Sequence, residues 1–136
     1  MTRYLLDTNA VSDYIFRRRG VYEKARQVRM TGAKLGTCYP VIAELLSGIE
    51  YSSTRDSNLV IVNRTIGTFR LWPFELDEAK EYARLYAIMR KAGSTIGAVD
   101  LMVASTALTL GKCTVVSSDS DMKRVPGLSV ENWATS

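Results

Sequence analysis

Several acidic residues of this chain stand where a carboxylate is costly. Asp7 closes the apolar run Tyr4-Leu5-Leu6, and Asp119 and Asp121 follow Thr114-Val115-Val116-Ser117. A charge at the end of an apolar strand is unfavourable unless something compensates it. Two more acids share apolar helical stripes: Glu44 with Val41, Leu45 and Gly48, and Asp100 with Gly97, Ala104, Ala107, Leu108 and Gly111. The small neighbours of Asp100 imply close packing on a sheet, where a lone carboxylate needs a partner. For any single acid, a helix cap, a favourable helix dipole or a buried pair with Lys or Arg is a sufficient account. For Asp7 the cap is the weaker account, because Thr8 and Asn9 stand nearer the helix that follows.

The acids taken together ask for more. Two carboxylates ~4 Å apart repel by about 4 kcal/mol at an effective dielectric of ~20. Such a cluster either takes up protons or surrounds a cation. Oxygen ligands without imidazole or thiolate select Mg²⁺ or Mn²⁺ over zinc. The chemistry they support is metal-assisted phosphodiester hydrolysis, in which an ion makes hydroxide from water and stabilises the leaving oxygen.

Composition narrows the field in the same direction. With no histidine among 136 residues, the chain has no imidazole base, no Ser-His-Asp triad and no histidine-ligated zinc. Cys38 and Cys113 are far apart and form no CxxC, so they read as free thiols in a reducing compartment. Residues 1–34 hold eight Lys and Arg against three acids, while the whole chain is only +4. That basic quarter favours a polyanion, with Arg17, Arg18 and Arg19 as candidate contacts to RNA phosphates. The same residues also read as cations at a helix C-terminus, capped by Gly20.

The elements that must position these residues alternate in type. Strands are expected at 3–6, 35–39, 114–117 and 128–133, with a short strand or extended link at 71–74. Helices are expected at 10–17 (capped by Thr8 or Asn9), 21–29, 41–49 with Pro40 at its first position, and 57–69. A long amphipathic helix follows at 77–91, capped by Asp77, with Ala79, Tyr82, Ala83, Tyr86 and Met89 on one face. Another opens at Ser94 or Thr95 and runs to about Leu110, stopped by Gly111. Strands alternating with helices, without hairpin turns, indicate an α/β fold: three layers, α/β/α, around a mostly parallel sheet. In such sheets ligands bind at the carboxyl ends of strands, where Asp7, Asp119 and Asp121 fall. The length and the lack of any linker suit a single domain over 1–136. No apolar run is long enough for a membrane span and no signal-peptide core is visible, so a soluble cytoplasmic protein is expected.

Four segments carry a resemblance. Leu5-Leu6-Asp7-Thr8-Asn9, Ile42-Ala43-Glu44-Leu45, Ile96-Gly97-Ala98-Val99-Asp100-Leu101-Met102-Val103-Ala104 and Val115-Val116-Ser117-Ser118-Asp119-Ser120-Asp121-Met122 are similar to the signature segments of PIN-domain ribonucleases. Their order, and the ending Val125-Pro126-Gly127-Leu128-Ser129-Val130-Glu131-Asn132-Trp133, resemble the VapC toxins of type II toxin–antitoxin modules. The resemblance implies a PIN-like fold and a Mg²⁺- or Mn²⁺-dependent endoribonuclease acting on RNA. It also implies a homodimer, held inactive by a VapB-type antitoxin whose tail lies across the active site. Asp7, Glu44 and Asp100 match the core acidic positions and Asp119 the fourth, as catalytic residues. Asp7, Asp100, Asp119 and Asp121 are the implied metal-holding set, with Asp119 and Asp121 alternatives for its last member. Thr8, Asn9 and Ser117 match positions that hydrogen-bond the acids or their waters. Met122 and the pair Ser118-Asp119 depart from the commoner aromatic and Asn-Asn.

Other readings fit less well. A haloacid-dehalogenase-type phosphotransferase needs an acid two residues after Asp7, where Asn9 stands; a receiver domain needs an early acidic pair, which is missing. A binding module with purely structural acids is the non-enzymatic alternative.

Overall fold

Short, β-rich strands that never meet through a tight turn have to be joined by crossovers, and the chain supplies helices for that purpose. The computed structural model describes residues 2–135. Strands β1 (Arg3–Leu6), β2 (Lys34–Cys38), β3 (Arg70–Trp72), β4 (Cys113–Val116) and β5 (Ser129–Glu131) form a sheet in the order β3-β2-β1-β4-β5. Every neighbouring pair is parallel, so the sheet is wholly rather than mostly so. The helices are α1 (Thr8–Ile15), α2 (Val21–Arg29), α3 (Tyr39–Glu50), α4 (Arg55–Ile66), α5 (Leu76–Lys91) and α6 (Ala98–Leu110), with a 3₁₀ segment at Ser120–Arg124.

This strand order reverses direction once. From β1 the chain steps outward to β2 and β3, then returns across β1 to β4. Right-handed crossovers therefore put α1–α4 on one face and α5–α6 on the other. The packing agrees: α1 touches α2, α3 and α4, and α5 lies along α6. The central strands are covered on both faces, with Leu5, Leu6, Val115 and Val116 buried. Between β1 and β4 the order reverses, which opens a crevice above their carboxyl ends. One backbone approach is unusually tight. A Cβ on Gly36 would lie 2.5 Å from the Arg70 carbonyl oxygen and 2.8 Å from Trp72, so β2 can meet β3 there only through glycine.

Several element ends differ from expectation. Asp7, not Thr8 or Asn9, caps α1: its Oδ1 accepts the Ala10 N–H at 2.9 Å, because the strand turns into the helix with no residue to spare. The long helix α5 is capped by Glu75 in a reciprocal capping box with Glu78, not by Asp77. Its buried residues are Leu85 and Met89, with Tyr82 half-buried, while Ala79, Ala83 and Tyr86 face outward. The next helix starts at Ala98 rather than near Thr95; Gly97 is its extended N-cap, and Ile96 before it packs on the core. Gly20 caps the start of α2 in a left-handed conformation (φ 75°) instead of ending α1, which stops at Ile15. The 3₁₀ segment was not foreseen; Asp119 starts it by accepting the Asp121 N–H. The C-terminal tail folds back so that the Thr135 N–H donates to the Arg19 carbonyl at 2.8 Å.

Candidate active site

Each candidate carboxylate is delivered by a different piece of this scaffold. Asp7 sits at the end of β1, Glu44 on α3, Asp100 in the first turn of α6, and Asp119 just beyond β4. Contact between α3 and α6 brings Glu44 to the side of Asp100. All four line one open cavity of about 300 Å³ at the strand-order reversal, together with Thr8, Asn9, Gly97, Ala98 and Val99. Glu44 reaches it from an exposed position on the rim, so its stripe with Gly48 does not face the sheet as expected; Val41 and Leu45 alone do. The lining residues Gly97, Ala98 and Val99 had no chemical signal of their own, only their place ahead of Asp100.

The electrostatics are those of crowded like charges. Burial pushes the Asp7 carboxyl above the usual aspartate range, and Asp119 and Glu44 push it further. Hydrogen bonds from the Ser117 hydroxyl and the Ala10 N–H oppose that rise. Asp100 is raised to about 6, first by burial and then by the fields of Asp7, Asp119, Glu44 and Asp121. Ser117, itself buried, is a hub: its Oγ accepts the Asp119 N–H at 3.1 Å while its hydroxyl serves Asp7. Thr37, a buried residue passed over in the sequence, donates to the Leu6 carbonyl at 2.7 Å and fixes the peptide that precedes Asp7. The N-termini of α1 and α6 both point their partial positive charge toward this cavity and offset part of the repulsion.

Among the described residues, none of Asp7, Glu44, Asp100 and Asp119 forms an ion pair with Lys or Arg. Asp121 differs: it is exposed, does not line the cavity, and lies 3.3 Å from Arg124. Among the described residues, no three carboxylates stand close enough to grip one ion directly. The donor set nonetheless suits a hard cation. Mg²⁺ keeps several of its waters and takes only one or two carboxylates directly, and a 300 Å³ cavity with four carboxylates in its lining leaves room for that water shell.

The arginine run lies elsewhere. Arg17, Arg18 and Arg19 follow the far end of α1, whose eight residues span about 12 Å from Asp7. Asp13 holds Arg18 and Arg19 at 3.6 and 3.7 Å, and the Arg17 guanidinium lies over the Tyr22 ring. They can meet a polyanion only at a distance from the carboxylates.

The chain is similar to known proteins along nearly its whole length. The chain is 27% identical over 133 residues to ribonuclease VapC2 of Haemophilus influenzae, covering 98% of this chain and 99% of that one. It is 25% identical over 134 residues to a tRNA(fMet)-specific endonuclease VapC of Salmonella typhimurium, covering 98% and 99%. Its fold superposes on VapBC2 of Rickettsia felis, solved bound to a promoter DNA fragment, with a TM-score of 0.88 at 25% identity, over 97% and 99% of the two chains. The PIN domain profile matches residues 4–128, and the chain belongs to the PIN-domain family.

Proposed function

We propose that this chain is a VapC-type endoribonuclease toxin that hydrolyses phosphodiester bonds in RNA with Mg²⁺ or Mn²⁺. The observation that carries this reading is the convergence of Asp7, Glu44, Asp100 and Asp119, from four separated segments, on one cavity without a cationic partner. Asp7, Asp100 and Asp119 are the residues that would hold the ion, one or two of them directly and the rest through its waters, with Glu44 on the rim and Asp121 outside the cavity beside Arg124. A divalent ion bound there supplies the activation of water and the stabilisation of a leaving oxygen that phosphodiester hydrolysis requires. The protein's own part is to orient and to shield. Ser117 supports the Asp7 carboxylate and holds the backbone N–H of Asp119, and Thr8 and Asn9 offer side-chain polar groups to water or a phosphate oxygen at the mouth.

The likeness to a VapBC toxin–antitoxin complex supports a VapB-type antitoxin as partner, and the tRNA endonuclease among the relatives makes structured RNA the first substrate to try. The chain acts in this reading as one domain, in the cytoplasm, as a homodimer. Among the described residues no helix is long and apolar enough to cross a membrane.

Asp7→Asn is the decisive variant, because asparagine still accepts the Ala10 N–H and preserves the cap of α1. RNA cleavage in Mn²⁺ should fall by at least about a hundredfold while the melting midpoint holds. EDTA should abolish cleavage by the wild type. Full activity in Asp7→Asn, or wild-type cleavage untouched by EDTA, would leave the acids with a structural role only.

A further inference from the structure

The segment 92–97 between α5 and α6 forms no helix or strand, yet Gly97 at its end walls the cavity and Asp100 follows three residues later. Across from it, the 3₁₀ segment Ser120–Arg124 follows directly on Asp119. One stretch leads into the helix turn that carries Asp100 and the other starts at its cap Asp119, and neither belongs to the sheet. Arg124 joins them. Its Nη2 donates to the Thr95 carbonyl at 3.1 Å and lies 3.3 Å from Asp121 Oδ1. The Asp121 N–H in turn donates to Asp119 Oδ1 at 2.9 Å. A continuous polar path therefore runs from Thr95 through Arg124 and Asp121 to the Asp119 carboxylate. Among the described residues, no other side-chain hydrogen bond ties the 92–97 segment to the 3₁₀ segment.

We propose that Arg124 is a positioning residue, a brace that sets the separation between the segment leading to Asp100 and the turn that orients Asp119. An exposed ion pair contributes little to global stability, so the effect of this one is local geometry. Both contacts fall on Nη2, whose N–H directions are fixed in the guanidinium plane, whereas an ammonium on a flexible stem holds no fixed direction. The brace rests on the nuclease reading for its catalytic meaning, though its mechanical part can be read separately.

The test compares the wild type with Arg124→Ala and Arg124→Lys in three measurements. In metal-free protein, hydrogen exchange at the amides of residues 94–97 should quicken in Arg124→Ala and less so in Arg124→Lys. By calorimetry, Mn²⁺ affinity should fall about tenfold in Arg124→Ala, the size expected when an outer support of a metal site is lost. With bulk tRNA, kcat at fixed subsaturating Mn²⁺ should drop while KM for RNA stays unchanged. Unaltered exchange together with unaltered Mn²⁺ affinity overturns the brace. So does a raised KM with Mn²⁺ affinity intact, which would make Arg124 a direct phosphate contact. The exchange arm needs neither ion nor RNA, so the brace can fail while the nuclease reading stands. Conversely, a wild type that binds no Mn²⁺ and cuts no RNA removes the nuclease reading and the catalytic sense of the brace, whatever exchange reports.

Discussion

Asp7 does two jobs with one carboxylate: an oxygen caps α1, and the same group faces the acidic cavity. Its burial without a cation is tolerable because Ser117 and the Ala10 N–H feed it hydrogen bonds. Asp100 has less help, and its rise from 3.8 to about 6 favours the protonated form in the folded chain relative to the unfolded one. The consequence has a definite sign. Between those values the folded state binds more protons than the unfolded state, so this group's contribution to stability is full below about pH 4 and is lost as pH rises through about 6. Without metal, Asp100→Asn should therefore melt above the wild type at pH ~7, with the gap closing toward pH ~4. Saturating Mn²⁺ should raise the wild type selectively. A gap that does not change with pH would show that Asp100 is not held in a charge-crowded site.

At the scale of elements, precision comes from how β1 and β2 end. The Thr37 hydroxyl is buried and satisfies the Leu6 carbonyl, so the last peptide of β1 is fixed from the side before the chain turns at Asp7. Thr37→Val keeps the shape and strands that carbonyl; urea unfolding should report a loss of about 1–3 kcal/mol, with activity reduced beyond what the unfolded fraction explains. Equal specific activity per folded molecule would limit Thr37 to stability. Much of this architecture was legible from residue order. Apolar runs ending in acids gave β1 and β4, and Pro40 gave the start of α3; of the small-residue stripe on α6, Ala104 and Ala107 are buried, but so are Leu101, Val103, Ser105 and Thr106 outside it. Helix starts were less legible, because Asp7, Glu75 and Gly97 are caps only once tertiary packing decides where each turn begins. The buried face of α5 differs from the expected one for a related reason: apolar residues run round much of the helix, and only contact with α6 selects Leu85 and Met89 over Ala79, Ala83 and Tyr86. Arg124 was invisible as a brace, since nothing in linear order says that Thr95 will lie beside it.

The whole molecule shows two surfaces of different character. Large apolar side chains lie exposed in both helical layers: Tyr51, Val60 and Ile61 on or beside α4, and Leu76, Tyr86 and Ile88 on α5. In a homodimer some of these side chains are covered by the second copy. Sedimentation of the purified chain at micromolar concentration should give twice the mass of one chain, and a monomer there would count against it. The other surface is the acidic mouth, set in a chain that has no histidine at all. Most proteins exchange protons through imidazole between pH 5 and 7, and that background is missing here. Any protons expelled on ion uptake near pH 6 thus come from the mouth, and titrating the ion in two buffers of unlike ionisation enthalpy would count them one by one.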